Sequence, residues 1–194
     1  MIITGALGFG LILLLVLSGA SDGFDHAVQQ FAVGMRCGPL NAFMAKFTLL
    51  GNWQTIVFFC IILLIIKPTR IKFGIPLTVG AIFVTVLNKI IKTIVVRPRP
   101  DDVIHLVEAH GYSFSSGHAI TSMFFFGMAI WLVRKYVENR ALKNILTVVL
   151  LIPAIGIGLS RIYCGVHYTT DVLAGWFLGI AAIGGAIGVL NDHS

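Results

Sequence analysis

The sequence predicts an all-α polytopic membrane protein, a six-transmembrane-helix bundle. Three observations support this prediction: the composition, the hydropathy and the placement of the charges. Hydrophobic residues make up 57% of the chain and charged residues 11%, whereas soluble domains carry about 25% charged residues. The mean hydropathy is +0.94. The net charge of +6 comes from short basic clusters between apolar runs, a pattern typical of membrane topology signals or anion sites and not of nucleic-acid binding.

Six apolar runs are long enough to cross a bilayer, which takes about 20 residues in a helix. They cover about 2–19, 48–66, 74–95, 117–133, 145–163 and 170–190. Because the connections are short, we expect residues 1–194 to form one six-helix domain. No basic residue precedes the first run, which favours a transmembrane helix over a secretory signal. The small residues Ser18, Gly19 and Ala20 leave a cleaved signal open as the alternative.

The charges in the connections predict the orientation. Lys and Arg in short loops mark the cytoplasmic side, and two connections are rich in them. These residues are Lys67, Arg70 and Lys72 in one connection, and Arg134, Lys135, Arg140 and Lys143 in the other. Six spans would then place both termini in the cytoplasm. The third connection, which this topology places outside, breaks the rule, because Lys92, Arg97 and Arg99 would lie there, and an anionic ligand would explain them.

The first candidate segment begins at Lys92 and ends at Pro100. Lys92 and Arg99 are seven residues apart, so on a helix they would share one face. Pro98 and Pro100 predict that the span ends close by. A Lys point charge beside the fork of an Arg suits a phosphate. The alternative is a pair of interfacial cations that extend toward the headgroups.

The second segment is 112–118, at the start of the fourth span. Ser115 or Ser116 is a good N-cap, and the amides that follow would point outward unpaired. Such a helix start binds anions, and Gly117 lets a phosphate approach closely. His118 could donate a proton to a leaving oxygen. The alternative is an ordinary capped helix with an interfacial histidine.

The third segment is 160–171. His167 and Asp171 are four residues apart, so on a helix they would lie one turn apart on one face. An Asp on one ring nitrogen leaves the other free to attack. Arg161 adds a further guanidinium. A buried His–Asp pair that joins helices is the alternative. Together the three segments supply the groups for phosphoryl transfer through a covalent intermediate.

No metal site is predicted. Cys37, Cys60 and Cys164 lack the spacing of zinc ligands or of a disulfide framework. The third connection contains a few further metal-ligating residue types, but their spacing fits no recognised site. They are Asp101, Asp102, His105, Glu108 and His110.

Taken in order, the three segments resemble the signature of the type 2 phosphatidic acid phosphatase (PAP2) family. The residues that carry the resemblance are Lys92, Arg99 and Pro100, then Ser116, Gly117 and His118, then Ser160, Arg161, His167 and Asp171. They cover roughly residues 92–171. The chain is also similar to the small bacterial members that act on undecaprenyl diphosphate or phosphatidylglycerol phosphate. It departs from the family at Ser115, where Pro is usual; Ser can still cap the helix but leaves the loop freer.

The resemblance implies a role for each residue. His167 would attack phosphorus and become a phosphohistidine, with Asp171 orienting it. His118 would protonate the leaving group and later activate water. The phosphoryl oxygens would be held by Lys92, Arg99, Ser116, the Gly117 backbone and Arg161. Neither a metal nor another cofactor is implied, because the cations neutralise the charge of the phosphate.

The function expected from this resemblance is that of a lipid phosphatase in a bacterial cytoplasmic membrane, with its site facing outward. The candidate substrates are undecaprenyl diphosphate, phosphatidylglycerol phosphate and phosphatidic acid. The expected partners are the bilayer and the lipid phosphate, with no nucleic acid and no obligate protein partner. The alternatives are a phosphotransferase that uses the same site, and a lipid-phosphate binder or transporter without catalysis. A soluble haloperoxidase would share this type of site, but six spans argue against it.

Overall fold

The computed structural model describes residues 1–192, and no strand occurs among them. The helices in chain order are α1 (Ile2–Leu17), α2 (Asp22–Gly34), α3 (Gly38–Phe47), α4 (Trp53–Ile65), α5 (Lys67–Thr69), α6 (Ile75–Val95), α7 (Gly117–Tyr136), α8 (Arg140–Tyr163) and α9 (Thr169–Asp192). A 3-10 turn at Thr48–Gly51 connects α3 to the start of α4, and a π turn at Arg70–Gly74 connects α5 to α6. The predicted all-α membrane fold is confirmed.

Four stretches are long and apolar enough to cross a membrane on their own. They are Lys67–Val95, Gly117–Tyr136, Arg140–Tyr163 and Thr169–Asp192. Two further stretches are bent pairs of helices: α1 and α2 meet at 96°, and α3 with its 3-10 turn meets α4 at 48°. The count reaches six spans when each bent pair is one span. The predicted runs at about 2–19 and 48–66 are therefore shorter helices than expected: α1 is followed by α2 at an angle, and α4 is preceded by α3 at an angle.

Helix α7 lies at the centre of the bundle and packs against α6, α8 and α9. Its Phe124, Met128 and Leu132 are almost fully buried. Helix α1 packs along α9 so closely that a Cβ added at Gly5 would lie 2.5 Å from the Ala181 nitrogen. The outer faces of the bundle are apolar and exposed, as expected for surfaces in contact with lipid.

All three candidate segments lie at one end of the bundle. Helix α6 ends there, α7 begins there, α8 ends there and α9 begins there, so residues far apart in sequence meet. Helix α6 stops because Val96 adopts a left-handed conformation with φ +53°, with its N–H bonded to the Lys92 carbonyl. The prediction that Lys92 and Arg99 share one helix face is therefore wrong, since Arg99 lies beyond the helix end.

Candidate active site

His167 and Asp171 form a buried pair at the start of α9. The His167 Nδ1 lies 3.3 Å from Asp171 Oδ2, and both residues are at most 2% exposed. The contact is present, but the prediction that the two residues share one helix face is wrong, because His167 precedes the first residue of α9. Asp171 is the third residue of the helix and accepts the Tyr168 N–H at 2.9 Å, the reach-back of a capping box. This capping contact brings the carboxylate to His167.

Every oxygen of the Asp171 carboxylate has a donor. Oδ2 accepts from His167, from the Tyr168 amide and from the Ser113 hydroxyl. Oδ1 accepts from Arg97 Nη1 at 2.8 Å. A buried carboxylate needs such partners, because an unpaired buried charge is costly. The carboxylate that pairs with His167 is thus held in place through hydrogen bonds to both of its oxygens.

The other ring nitrogen of His167 faces Arg99. Arg99 Nη1 lies 3.2 Å from His167 Nε2 and also donates to the Val166 carbonyl at 2.6 Å. The Arg99 side chain is anchored by two further carbonyls, of Gly111 and His110. Burial lowers the pKa of His167 to about 3; the Asp171 carboxylate opposes this effect, and Arg99 and Arg161 add to it. The imidazole is therefore neutral near pH 7, with its Nε2 lone pair directed to the cationic side of the site.

Two more cations lie at this end of the bundle. Lys92 Nζ donates to the carbonyl oxygens of Tyr112 and Ser113. Arg161 is 4% exposed and donates from Nη1 to Thr48 Oγ1 at 3.2 Å. Within residues 1–192 its buried Nε has no hydrogen-bond partner. Lys92 and Arg99 both donate to carbonyls of the loop at 110–113, and Arg99 and Arg161 both lower the pKa of His167, so the three predicted cations lie around one site.

The start of α7 has the predicted cap. Ser116 is the N-cap, and its Oγ accepts the Ala119 N–H at 3.4 Å. The amides of Gly117 and His118 occupy the first two helical positions and have no acceptor inside the helix. A Cβ added at Gly117 would lie 3.1 Å from Asn88 Nδ2, so glycine leaves room at the helix start.

The side chain of His118 is held by Asn52, from the bend between α3 and α4. His118 Nε2 and Asn52 Oδ1 are 2.8 Å apart. With the Nε2–H donated to this oxygen, the Nδ1 of His118 is the nitrogen that remains free for proton transfer. Asn52 belongs to no recognisable sequence motif; its one signal is that it is a polar residue beside an apolar run.

Ser115, the position that departs from the family pattern, is fully buried. Its hydroxyl donates to Asn88 Oδ1 at 2.7 Å, and the Phe114–Ser115 peptide bond is cis. Asn88 in turn lies beside Gly117. The Ser115 side chain therefore ties the loop before α7 to helix α6.

An apolar groove opens between α4 and α6 and reaches the start of α7. Its volume is about 620 Å³. Residues from α4, including Val57 and Ile61, form one wall, and residues from α6, including Ala81 and Ile82, form the other. Gly117 and His118 lie at the polar end of the groove. The groove thus connects the site laterally to the lipid-facing surface of the bundle.

Within residues 1–192 no group of three or more His, Cys, Asp or Glu side chains is arranged to hold a metal ion. His105 is one of the metal-ligating residue types in the third connection, and its imidazole Nε2 lies 2.6 Å from the Pro100 carbonyl oxygen. Metal independence stays a prediction.

More than half of the chain matches the model of a known protein family. A model of the PAP2 superfamily matches residues 73–193. The chain belongs to the PAP2 superfamily. The matched range contains every residue that the sequence resemblance singled out, from Lys92 to Asp171.

Relatives within the PAP2 superfamily carry names of lipid phosphatases. The chain is 29% identical over 170 residues to phosphatidylglycerophosphatase B of Bacillus subtilis, covering 84% of this chain and 81% of the relative. It is also 29% identical over 188 residues to an undecaprenyl-diphosphatase of Sulfolobus acidocaldarius, covering 87% of this chain and 84% of that one.

Two solved crystal structures share the fold. The crystal structure of the transmembrane PAP2-type phosphatidylglycerolphosphate phosphatase of Bacillus subtilis superposes with a TM-score of 0.90 at 25% identity, covering 99% of this chain and 96% of that chain. The crystal structure of Aquifex aeolicus LpxE gives a TM-score of 0.68 at 26% identity, covering 84% of this chain and 93% of the other. The predictions of a membrane enzyme and of a PAP2 lipid phosphatase are confirmed.

Proposed function

We propose that this enzyme hydrolyses a phosphate ester or anhydride on a lipid through a phosphohistidine at His167. The observation that carries the proposal is the orientation of the His167 ring. Its Nδ1 faces the Asp171 carboxylate, and its Nε2 faces the Arg99 guanidinium. A phosphoryl group bound to Arg99 would lie next to the unprotonated ring nitrogen of His167, which suits nucleophilic attack.

In the first step, the Nε2 lone pair attacks phosphorus and a P–N bond forms. The bond from phosphorus to the leaving oxygen breaks, and that oxygen takes the electron pair together with a proton from His118. The Asp171 carboxylate stabilises the positive charge on the phosphorylated imidazole. Lys92, Arg99 and Arg161, with Ser116 and the Gly117 amide, hold the remaining phosphoryl oxygens.

In the second step, His118 takes a proton from a water molecule, whose oxygen attacks phosphorus. The P–N bond breaks, its electron pair returns to Nε2, and inorganic phosphate leaves. The three side-chain cations supply the positive charge that a metal ion supplies in other phosphatases. We therefore propose that the reaction needs no metal.

The groove between α4 and α6 supports a lipid as the substrate. Its walls are apolar and its polar end lies at His118, so a lipid tail in the groove would bring a headgroup phosphate to the site. The candidates are undecaprenyl diphosphate, phosphatidylglycerol phosphate and phosphatidic acid, and the names of the two relatives favour the first two.

The orientation in the membrane is proposed from the two ends of the bundle. The basic connections around Lys67–Gly74 and between α7 and α8 lie at the end opposite the site. Because basic loops stay in the cytoplasm, we propose that both termini are cytoplasmic and that the site faces the exterior of a bacterial cytoplasmic membrane.

Phosphate release by the purified chain in detergent, in excess EDTA, tests this function. The three lipids are assayed separately, with His167→Ala alongside and His26→Ala as the matched control. We expect release to persist in EDTA, to vanish in His167→Ala and to remain in His26→Ala. Loss of release in EDTA would contradict the metal-free chemistry. Transfer of the phosphoryl group to another acceptor, without free phosphate, would contradict hydrolysis.

A further inference from the structure

Arg97 differs from the other cations of the site in what it contacts. It lies in the segment after α6, two residues before Arg99, and its side chain is 10% exposed. Its Nη1 donates to Asp171 Oδ1 and to Thr170 Oγ1, both at 2.8 Å. It therefore contacts the oxygen of Asp171 that does not face His167. No contact of Arg97 with His167 or His118 is present among residues 1–192, whereas Arg99 contacts His167 directly.

Arg97 is itself held by Asp25, from the outer helix α2. Arg97 Nη2 donates to Asp25 Oδ2 at 2.8 Å. The Asp25 carboxylate is fully buried and also accepts the amide and the hydroxyl of Thr170, at 2.9 and 2.6 Å. The Arg97 guanidinium carbon lies 4.2 Å from the ring centre of Tyr168. A carboxylate, a guanidinium and a second carboxylate thus form one buried chain that ends at the His167 pair.

We propose that Arg97, oriented by Asp25, is a positioning residue that holds Asp171 in place behind the His167 nucleophile. The inference rests on the proposed function. Its physical basis is the Oδ1 atom of Asp171, for which Arg97 is the hydrogen-bond donor. Removal of Arg97 takes away this donor from Oδ1 and the cation that pairs with the carboxylate, and the loss of one partner of a buried ion pair is costly. Asp171 would then rotate or take up a proton, and His167 would lose the orientation of its ring.

The kinetic consequence differs from that of losing a phosphate-binding cation. Lys92, Arg99 and Arg161 are proposed to contact the phosphoryl group, so their loss affects substrate binding. Arg97 acts through Asp171 and does not face the phosphoryl group. We therefore expect its removal to lower kcat by about 10- to 100-fold, the range typical of removing the hydrogen-bond partners of metal-ligating residues, with little change in KM.

A cavity behind Arg97 makes chemical rescue possible. It has a volume of about 390 Å³ and opens outward beside α1 and α2. Arg97 lines it together with Asp25, and its other polar lining residues are Asp22, His26 and Tyr168. Truncation of Arg97 to Ala would join the vacated space to this cavity. A guanidinium ion from solution could then bind between the Asp25 and Asp171 carboxylates.

The test measures kcat and KM for lipid phosphate hydrolysis by full-length Arg97→Ala, with and without millimolar guanidinium, and by Arg97→Lys. We expect a fall in kcat at nearly constant KM for Arg97→Ala, recovery with guanidinium, and a smaller loss for Arg97→Lys. The same guanidinium added to His167→Ala is the control and should restore nothing. Size-exclusion profiles and thermal unfolding establish that each variant is folded.

Wild-type kcat in Arg97→Ala, or a loss that neither guanidinium nor Lys relieves in a folded protein, would overturn the inference. If Arg97→Ala does not fold, Asp25→Asn carries the test, because it keeps the shape of the side chain and removes the charge that orients Arg97. A lower kcat at unchanged KM is then expected, and wild-type kinetics would overturn the inference. An inactive wild-type protein would instead contradict the proposed function, so the two failures are distinguishable.

Discussion

The chain before α5 and the chain from α5 onward differ in structure and in what they bring to the site. The later region contains the four long spans and the whole range matched by the PAP2 superfamily. The earlier region consists of two bent pairs of helices. All the predicted histidines and cations of the site come from the later region. The earlier region supplies partners that hold them, namely Asn52, Thr48 and Asp25.

The bends in the earlier region place polar side chains next to the site. Helix α2 turns away from α1 by 96° and buries Asp25 and Gln29 against the ends of α8 and α9. Gln29 Nε2 donates to the Ile162 carbonyl at 3.2 Å. Straight spans would have carried these polar groups into lipid, where they find no partner. Reactive groups and the groups that orient them are thus supplied by different parts of the chain.

The largest expected effect comes from a residue of the later region, the proposed acid His118. His118→Ala should lower kcat on a phosphomonoester by about 10²- to 10⁴-fold, the usual contribution of general acid–base catalysis. The loss on a diphosphate should be smaller, because phosphate is already a good leaving group. Steady-state kinetics on phosphatidic acid and undecaprenyl diphosphate check this. Equal losses on both substrates would contradict the role of acid.

A smaller effect is expected from the partner of His118 in the earlier region. Asn52→Ala removes one hydrogen bond to a ring nitrogen, worth about 1 kcal/mol or somewhat more, so kcat on the monoester should fall about 10-fold. Asn41→Ala is the matched control, since the Asn41 side chain accepts the Tyr163 hydroxyl instead of a histidine N–H. If Asn41→Ala lost as much activity as Asn52→Ala, the effect would be general and not specific to His118.

The groove joins the two regions and gives the third prediction. Val57 lines it from α4, whereas its neighbour Phe58 is exposed and lies outside its lining. Val57→Trp should raise KM for a long-chain lipid a few-fold, because a bulky ring narrows the groove, and Phe58→Trp should not. KM for a water-soluble aryl phosphate should stay unchanged in both variants. A rise for the aryl phosphate as well would place the effect at the site and not in the groove.

The smallest effect expected is on stability, from the buried His167. Its folded-state pKa of about 3 lies below the ordinary value near 6.5, so the unfolded chain binds a proton in that interval and the folded protein does not. Stability should therefore fall as the pH drops below about 6.5. Thermal unfolding of His167→Gln should depend less on pH, by about 1 kcal/mol per pH unit at most. An identical pH dependence in both proteins would contradict a neutral His167.

The sequence predicted much of the fold and of the reactive site, because both depend on local patterns. Apolar runs indicated the later spans, and the Ser116 cap and the His167–Asp171 contact follow from the chemistry of helix ends. The prediction that Lys92 and Arg99 share a helix face is wrong, because the left-handed Val96 ends α6 between them. Lys92 and Arg99 instead contact the loop at 110–113.

The orienting residues were missed for a different reason. Asn52, Asp25 and Thr48 come from segments without a motif, and their partners are about 66 to 145 residues away along the chain. The charge pattern identifies Arg97 as a cation on the unexpected side of the membrane. The spacing of residues in the sequence does not predict that Arg97 donates to the Asp171 oxygen that faces away from His167. Such contacts depend on tertiary packing, which local sequence patterns do not report.

Trapping the covalent intermediate tests the central claim most directly. His118→Ala is mixed with undecaprenyl diphosphate labelled with ³²P at its terminal phosphorus, because loss of the acid slows formation of the phosphohistidine least with this good leaving group. The reaction is quenched in alkali and the protein is digested, since phosphohistidine survives alkali and is lost in acid. Label is expected on the peptide that contains His167, because loss of the proposed base slows the attack of water. It should be absent from His118→Ala combined with His167→Ala. Turnover by an enzyme that never carries label at His167, or label on another residue, would contradict the proposed mechanism.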